Sequence, residues 1–136
     1  ALEEFIKDAP AGLAPTAQLE LAAAATLAGQ YDAAAKAWAE LEDSPSADLR
    51  AIAGIGHAKS LLLSGKGQEA LAKLNGLKPK APEAYAQAIT RQIAVAAEAA
   101  GDAKTAAAAY AELAEQAEGA AKPFYEFKTN QLKPKS

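Results

Sequence analysis

Gly29-Gln30-Tyr31-Asp32-Ala33-Ala34 is a glycine, four residues and an alanine, and the pattern returns as Gly65-Lys66-Gly67-Gln68-Glu69-Ala70 and Gly101-Asp102-Ala103-Lys104-Thr105-Ala106. The glycines are 36 residues apart each time, from 29 to 65 and from 65 to 101. An internal period of this size marks a stacked-repeat protein, in which a unit buries its apolar face only against its neighbours. Within the stretch, the glycine suits a helix C-terminus that needs a left-handed residue. The alanine then falls in the helix that follows.

Composition agrees with an all-α reading. The 136 residues are 51% hydrophobic but only 6% aromatic, and alanine is the commonest type. Alanine is the best helix former and has little bulk, so helices rich in it pack closely. The formal net charge is −3, and this gives no electrostatic reason to expect nucleic acid, whose binding needs a basic face. Cysteine is absent, so disulfides and thiolate catalysis are excluded. No apolar run approaches the ~18 residues needed to span a bilayer. The chain begins at Ala1 rather than Met, as a trimmed or mature form would, and a signal or anchor preceding it would not be visible.

The punctuation sets expected boundaries. Leu2, Phe5 and Ile6 have helical spacing, and residues 1–10 read as the second half of an incomplete repeat ended by Pro10. Repeat one occupies 15–46, with helices over about Thr16–Ala28 and Tyr31–Leu41. Ser46 caps the next helix, with Asp48 in its first turn. Repeat two occupies 47–82, with helices at Ala47–Leu63 and at Gln68–Leu74. Asn75-Gly76 is expected to end the second of these, and Pro79 and Pro82 bar its extension. Repeat three occupies 83–119, with a first helix from Pro82 to Ala100 and a second from Ala103 to Ala117. A capping helix at 123–133, carrying Phe124, Phe127 and Leu132, closes the array.

The 36-residue register superimposes Ala34, Ala70 and Ala106, and likewise Ala22, Ala58 and Ala94. Bulky positions coincide too: Trp38, Leu74 and Tyr110; Leu41, Leu77 and Leu113; Leu21, His57 and Ile93. Small residues facing large ones give interdigitated packing. Each unit resembles a tetratricopeptide repeat (TPR), through Leu21-Ala22, Gly29-x-Tyr31-x-x-Ala34 and Trp38; through Ala58, Leu61, Gly65, Ala70, Leu74 and Pro82; and through Ile93-Ala94, Gly101, Ala106 and Tyr110. Gly67 and Ala103 replace the usual turn tyrosine, and the period of 36 exceeds the family's usual length of about 34. The resemblance implies an α-solenoid of antiparallel helix pairs, with about three repeats, a partial N-terminal repeat and a C-terminal cap.

The alanine-rich repeats, the stretch Leu49–Leu74 and the closing Phe124-Tyr125-Glu126-Phe127-Lys128-Thr129-Asn130-Gln131-Leu132 also resemble the periplasmic domain of the ancillary SecYEG translocon subunit (YfgM-like) family. That resemblance implies a bacterial periplasmic domain behind an inner-membrane anchor, associated with the translocon and with chaperones. A cytoplasmic location is the alternative.

Chemistry-bearing residues are sparse. His57 is the only histidine and occupies a register position shared with Leu21 and Ile93, which suits a partly buried packing residue. No His, Cys, Asp or Glu spacing suits a metal, so no metal or cofactor is expected. Glu40, Glu42 and Asp43 read as a solvated helix end, and Lys122, Lys128, Lys133 and Lys135 as a solvated face. Ser60, Ser64 and Thr105 lack a nearby base, and no catalytic residue is expected. Gly54-Ile55-Gly56 follows no strand, so it is not a phosphate loop; both glycines permit close helix approach. Trp38 and Tyr110 belong inside the repeats, whereas Phe124, Tyr125 and Phe127 either cap the domain or dock on a partner.

By the TPR resemblance, first helices line a concave face. By register, the partner-binding positions are Thr16, Leu19, Ala23 and Thr26 in repeat one, Ile55, Lys59 and Leu62 in repeat two, and Arg91, Val95 and Glu98 in repeat three. The set is mostly apolar and lacks the Lys/Asn carboxylate clamp of related chaperone-tail binders. The expected function is a protein-interaction scaffold that holds a peptide or partner segment. The competing classes are a homo-oligomerisation module of a larger membrane-anchored protein, with a homodimer as its simplest form, and an enzyme fragment, for which too few convergent polar groups are present.

Overall fold

A computed structural model describes residues 15–133, so the half repeat expected over 1–10 lies outside the described residues. Seven α-helices follow in order: α1 (Pro15–Leu27), α2 (Tyr31–Leu41), α3 (Ala47–Leu63), α4 (Gly67–Leu77), α5 (Ala86–Ala100), α6 (Ala103–Gln116) and α7 (Ala121–Leu132). A 3₁₀ turn at Glu83–Tyr85 leads into α5. The described residues are 81% helical and include no strand.

The glycine motif does what its chemistry requires. Gly29, Gly65 and Gly101 all take left-handed backbone, with φ of 78°, 85° and 79°. In that conformation the amide following each glycine reaches back to the last turn: Gln30 to the Ala25 carbonyl, Lys66 to Leu61 and Asp102 to Ala97. Carbonyls that a helix end would otherwise leave unpaired are thereby satisfied. The next helix starts within two residues, so the chain reverses tightly and the paired helices lie side by side. Ser46 caps α3 by accepting the Leu49 amide at 3.3 Å, and Asp102 caps α6 by accepting that of Thr105 at 3.1 Å.

Each helix packs on the next, and α1 also touches α3, as α3 touches α5. The second helices α2, α4 and α6 make no comparable contact with one another among the described residues. The first helices therefore share one face. The alanines aligned by register all reach the core: Ala22, Ala34, Ala58, Ala70, Ala94 and Ala106 are fully buried. One cluster spans α3 to α6 around Leu74, Ile89 and Leu113; a smaller one around Trp38 and Leu41 joins α1, α2 and α3. Packing of adjacent helices is consistent with a helical repeat.

Two expectations need correction. α4 does not stop at Leu74 but continues through Asn75-Gly76 to Leu77. The reason is tertiary: the Leu77 side chain fills the space above Gly54, where a Cβ would come within 2.7 Å of it. Burying that leucine outweighs the ~1 kcal/mol of helix propensity lost at a glycine. At the other end, α7 begins at Ala121, with Pro123 in its first turn rather than at its start.

Candidate binding groove

A cleft of about 300 Å³ lies between α3 and α5 on the face that the first helices share. Its walls are two helical stripes. Ile55, Lys59, Leu62 and Leu63 come from α3, and Ala88, Arg91, Gln92 and Val95 from α5. The spacings of three, four and seven residues place each set along one side of its helix. The floor is anchored, because Ile55 and Leu62 pack on the main core cluster. The rim is open: Leu63 and Val95 are 48% and 47% exposed.

The lining holds two cations, Lys59 and Arg91, and no carboxylate. This contrasts with the chain's net charge of −3. Neither cation has an acidic partner among the described residues. The arrangement can accept an aliphatic surface and favour negative charge at its edges.

Five of the ten residues expected from register meet in this cleft: Ile55, Lys59, Leu62, Arg91 and Val95. Thr16 and Ala23 are exposed on α1 and Leu19 packs beside the smaller core cluster, all outside the cleft. Two assignments are corrected. Thr26 is buried, donating to the Ala22 carbonyl at 2.9 Å, lying 3.2 Å from the Ser60 hydroxyl and accepting the Trp38 indole N–H at 3.1 Å. Glu98, seven residues beyond Arg91 on the same stripe of α5, lies outside the cleft and is engaged with the helices that follow, accepting from the Tyr110 hydroxyl and from Lys128 Nζ. Leu63, Ala88 and Gln92 were missed. Their signal was present: each lies three or four residues from a chosen position on the same helix.

The polar residues elsewhere are more connected than their spacing foretold. Glu42 is no solvated helix end. Its two oxygens meet His57 Nδ1 at 2.6 Å and Lys73 Nζ at 2.7 Å. Burial works to raise the Glu42 pKa, but the hydrogen bonds and charges of His57 and Lys73 outweigh it and hold the carboxyl below its ordinary value of 4.5. Lys128 is likewise not on a solvated face, since it sits over the Tyr110 ring, 5.4 Å from its centroid, while bonding Glu98. Burial and the Glu98 carboxylate both push the Tyr110 phenol up. The aromatic tail divides: Tyr125 packs on Tyr110 with ring centroids 6.2 Å apart, whereas Phe124 and Phe127 are 55% and 62% exposed.

Among the described residues there is no group of three potential metal ligands, and no helix is long and apolar enough to cross a membrane. No family model, curated protein or solved structure matches this chain.

Proposed function

We propose that this chain is a TPR-type α-solenoid that acts as a protein-interaction scaffold, with the α3–α5 groove as its binding site. The occupant is an aliphatic segment of a protein partner flanked by acidic side chains. One observation carries this reading: half-exposed Leu63 and Val95 sit over an apolar floor, with Lys59 and Arg91 as the only charges in the lining. Burying such aliphatic surface supplies the attraction. The unpaired cations supply selectivity, because opposite charge across a rim speeds encounter and rejects basic competitors.

The test uses two synthetic helical peptides with leucines at positions i, i+4, i+7 and i+11, one with glutamates and the other with lysines between them. Fluorescence anisotropy should show binding of the acidic peptide and at least tenfold weaker binding of the basic one, a difference of about 1.4 kcal/mol. Val95→Asp with Arg91→Glu should abolish the interaction while leaving the circular dichroism melt unchanged, as both side chains are exposed. Unchanged binding by that variant rejects the groove.

Resemblance to the translocon-subunit family extends the proposal to a periplasmic, membrane-anchored setting. Fractionation of cells expressing the natural gene tests it; recovery in the cytosol removes that setting and leaves the groove untouched. A second reading, self-association, is favoured by exposed Phe124 and Phe127 on α7. Light scattering over a concentration series decides it: a mass that stays monomeric ends that reading.

A further inference from the structure

A second cavity, of about 430 Å³, opens where the N-terminal half of α3 meets the end of α4. It shares no lining residue with the α3–α5 groove. From α3, positions 47, 50, 51 and 54 form one stripe; from α4 and the residues after it, positions 73, 76, 77 and 80 form another. The charged lining is Arg50, Lys73 and Lys80 against a single carboxylate, Glu42.

That carboxylate is already committed, with one oxygen on His57 and the other on Lys73. Lys73 keeps two of its three ammonium donors, and Arg50 spends one N–H, on the Ser44 carbonyl at 2.8 Å. Lys80 has no acidic partner among the described residues. The α3 N-terminus adds partial positive charge. Its first-turn acid, Asp48, is not in the lining. The α4 C-terminus would oppose an anion, but the Leu77 carbonyl there is taken by the amides of Lys80 and Ala81, both at 3.0 Å. Excess positive charge therefore lines a cavity whose remaining walls are alanine, glycine and leucine.

We propose that this cavity is a binding site for a small amphiphilic anion, a carboxylate or phosphate monoester carrying a short aliphatic body. Arg50 and Lys80 grip the head group, Lys73 bridges it to Glu42, and the alanine wall of α3 receives the chain. The cavity lies within the roughly 300–1,000 Å³ range of small-molecule sites.

The test is titration of the full, isotopically labelled chain with hexanoate, hexyl phosphate and hexylammonium, followed by amide chemical shifts. Both anions should shift the amides of Arg50, Ala51, Gly54 and Leu77, with Kd on the order of 1 mM, as expected of fragments this small. A response to only one anion assigns the head group and supports the site. Arg50→Gln with Lys80→Gln should weaken anion binding about tenfold, the loss expected for charge-assisted hydrogen bonds near solvent. Both positions are exposed, and an unchanged thermal melt shows that the fold survives. Val95→Asp should leave these shifts alone, which separates this site from the groove. The proposal is overturned if neither anion shifts the cavity amides, if hexylammonium shifts them as strongly, or if the double variant binds the anions like the wild type.

Discussion

Positions 26 and 38, 62 and 74, and 98 and 110 are equivalent under the 36-residue register, yet the three pairs are built differently. In the first repeat the Trp38 indole donates to buried Thr26. In the third the Tyr110 hydroxyl donates to Glu98, which also holds Lys128. In the middle repeat the pair is Leu62 and Leu74, with no polar atom between them. A buried aromatic with a polar tip needs an acceptor, and its facing position must supply one. Leucine makes no such demand. Position 62 is thus released to be aliphatic, and it lines the groove. The α3 wall of the cleft thus includes a leucine at the position where the first and third repeats carry a hydrogen-bonding side chain.

The sharpest way to break this comparison is to remove the aromatic. Trp38→Ala deletes a residue only 6% exposed, and it should cost about 3–5 kcal/mol in urea unfolding followed by circular dichroism. It also removes the indole donor to the Thr26 hydroxyl. Gly56 supports the same point: a Cβ there would lie 2.5 Å from the indole ring. A rigid ring cannot yield as a leucine terminus can, so Gly56→Ala should destabilise despite adding helix propensity.

Next in size is Thr26→Val, which keeps the shape but leaves the indole N–H without its acceptor inside the core. The expected cost is about 1–3 kcal/mol. Tyr110→Phe should cost less, about 1 kcal/mol or below, because Glu98 keeps Lys128 and its side chain is 31% exposed. If the two variants lose equal stability, the buried and half-exposed pairs are energetically alike and the comparison fails.

This comparison also shows what sequence could and could not convey. The turns were legible because left-handed glycines leave a fixed mark, and the aligned alanines because close helix crossings admit little else. Register then carried Thr26, Leu62 and Glu98 to one common role. It could not distinguish them, because what each side chain does depends on its partner across the helix pair: an indole, a leucine or a phenol. The same limit applies to Glu42, whose partners His57 and Lys73 lie 15 and 31 residues away on other helices. Five of the eight groove-lining residues were found because their repeats place them on the shared face without a polar donor behind them. The end of α4 was misjudged because the local signal of Asn75-Gly76 ignored the space that Leu77 fills above Gly54.

The smallest effect concerns Glu42, the one carboxylate that ties α2, α3 and α4 together. Its folded-state pKa is lowered: burial opposes this, and the hydrogen bonds and charges of His57 and Lys73 prevail. A carboxyl with a depressed folded pKa binds fewer protons in the folded chain than in the unfolded one. Its contribution is fully present above the unfolded value of about 4.5 and is lost as pH falls through the folded value. Glu98 and Asp102 are lowered as well, so the wild-type chain should lose stability steadily on this acid limb. Glu42→Gln should cost no more than about 1 kcal/mol at neutral pH, since the pair is partly exposed. The gap between wild type and variant, measured by urea midpoints, should then close as the pH falls from about 4.5 through the lowered folded value. A gap that stays constant would mean that the carboxylate's charge adds nothing and that only its shape matters there. In that case the Glu42 site would resemble the apolar middle pair at 62 and 74 rather than the charged one at 98 and 110.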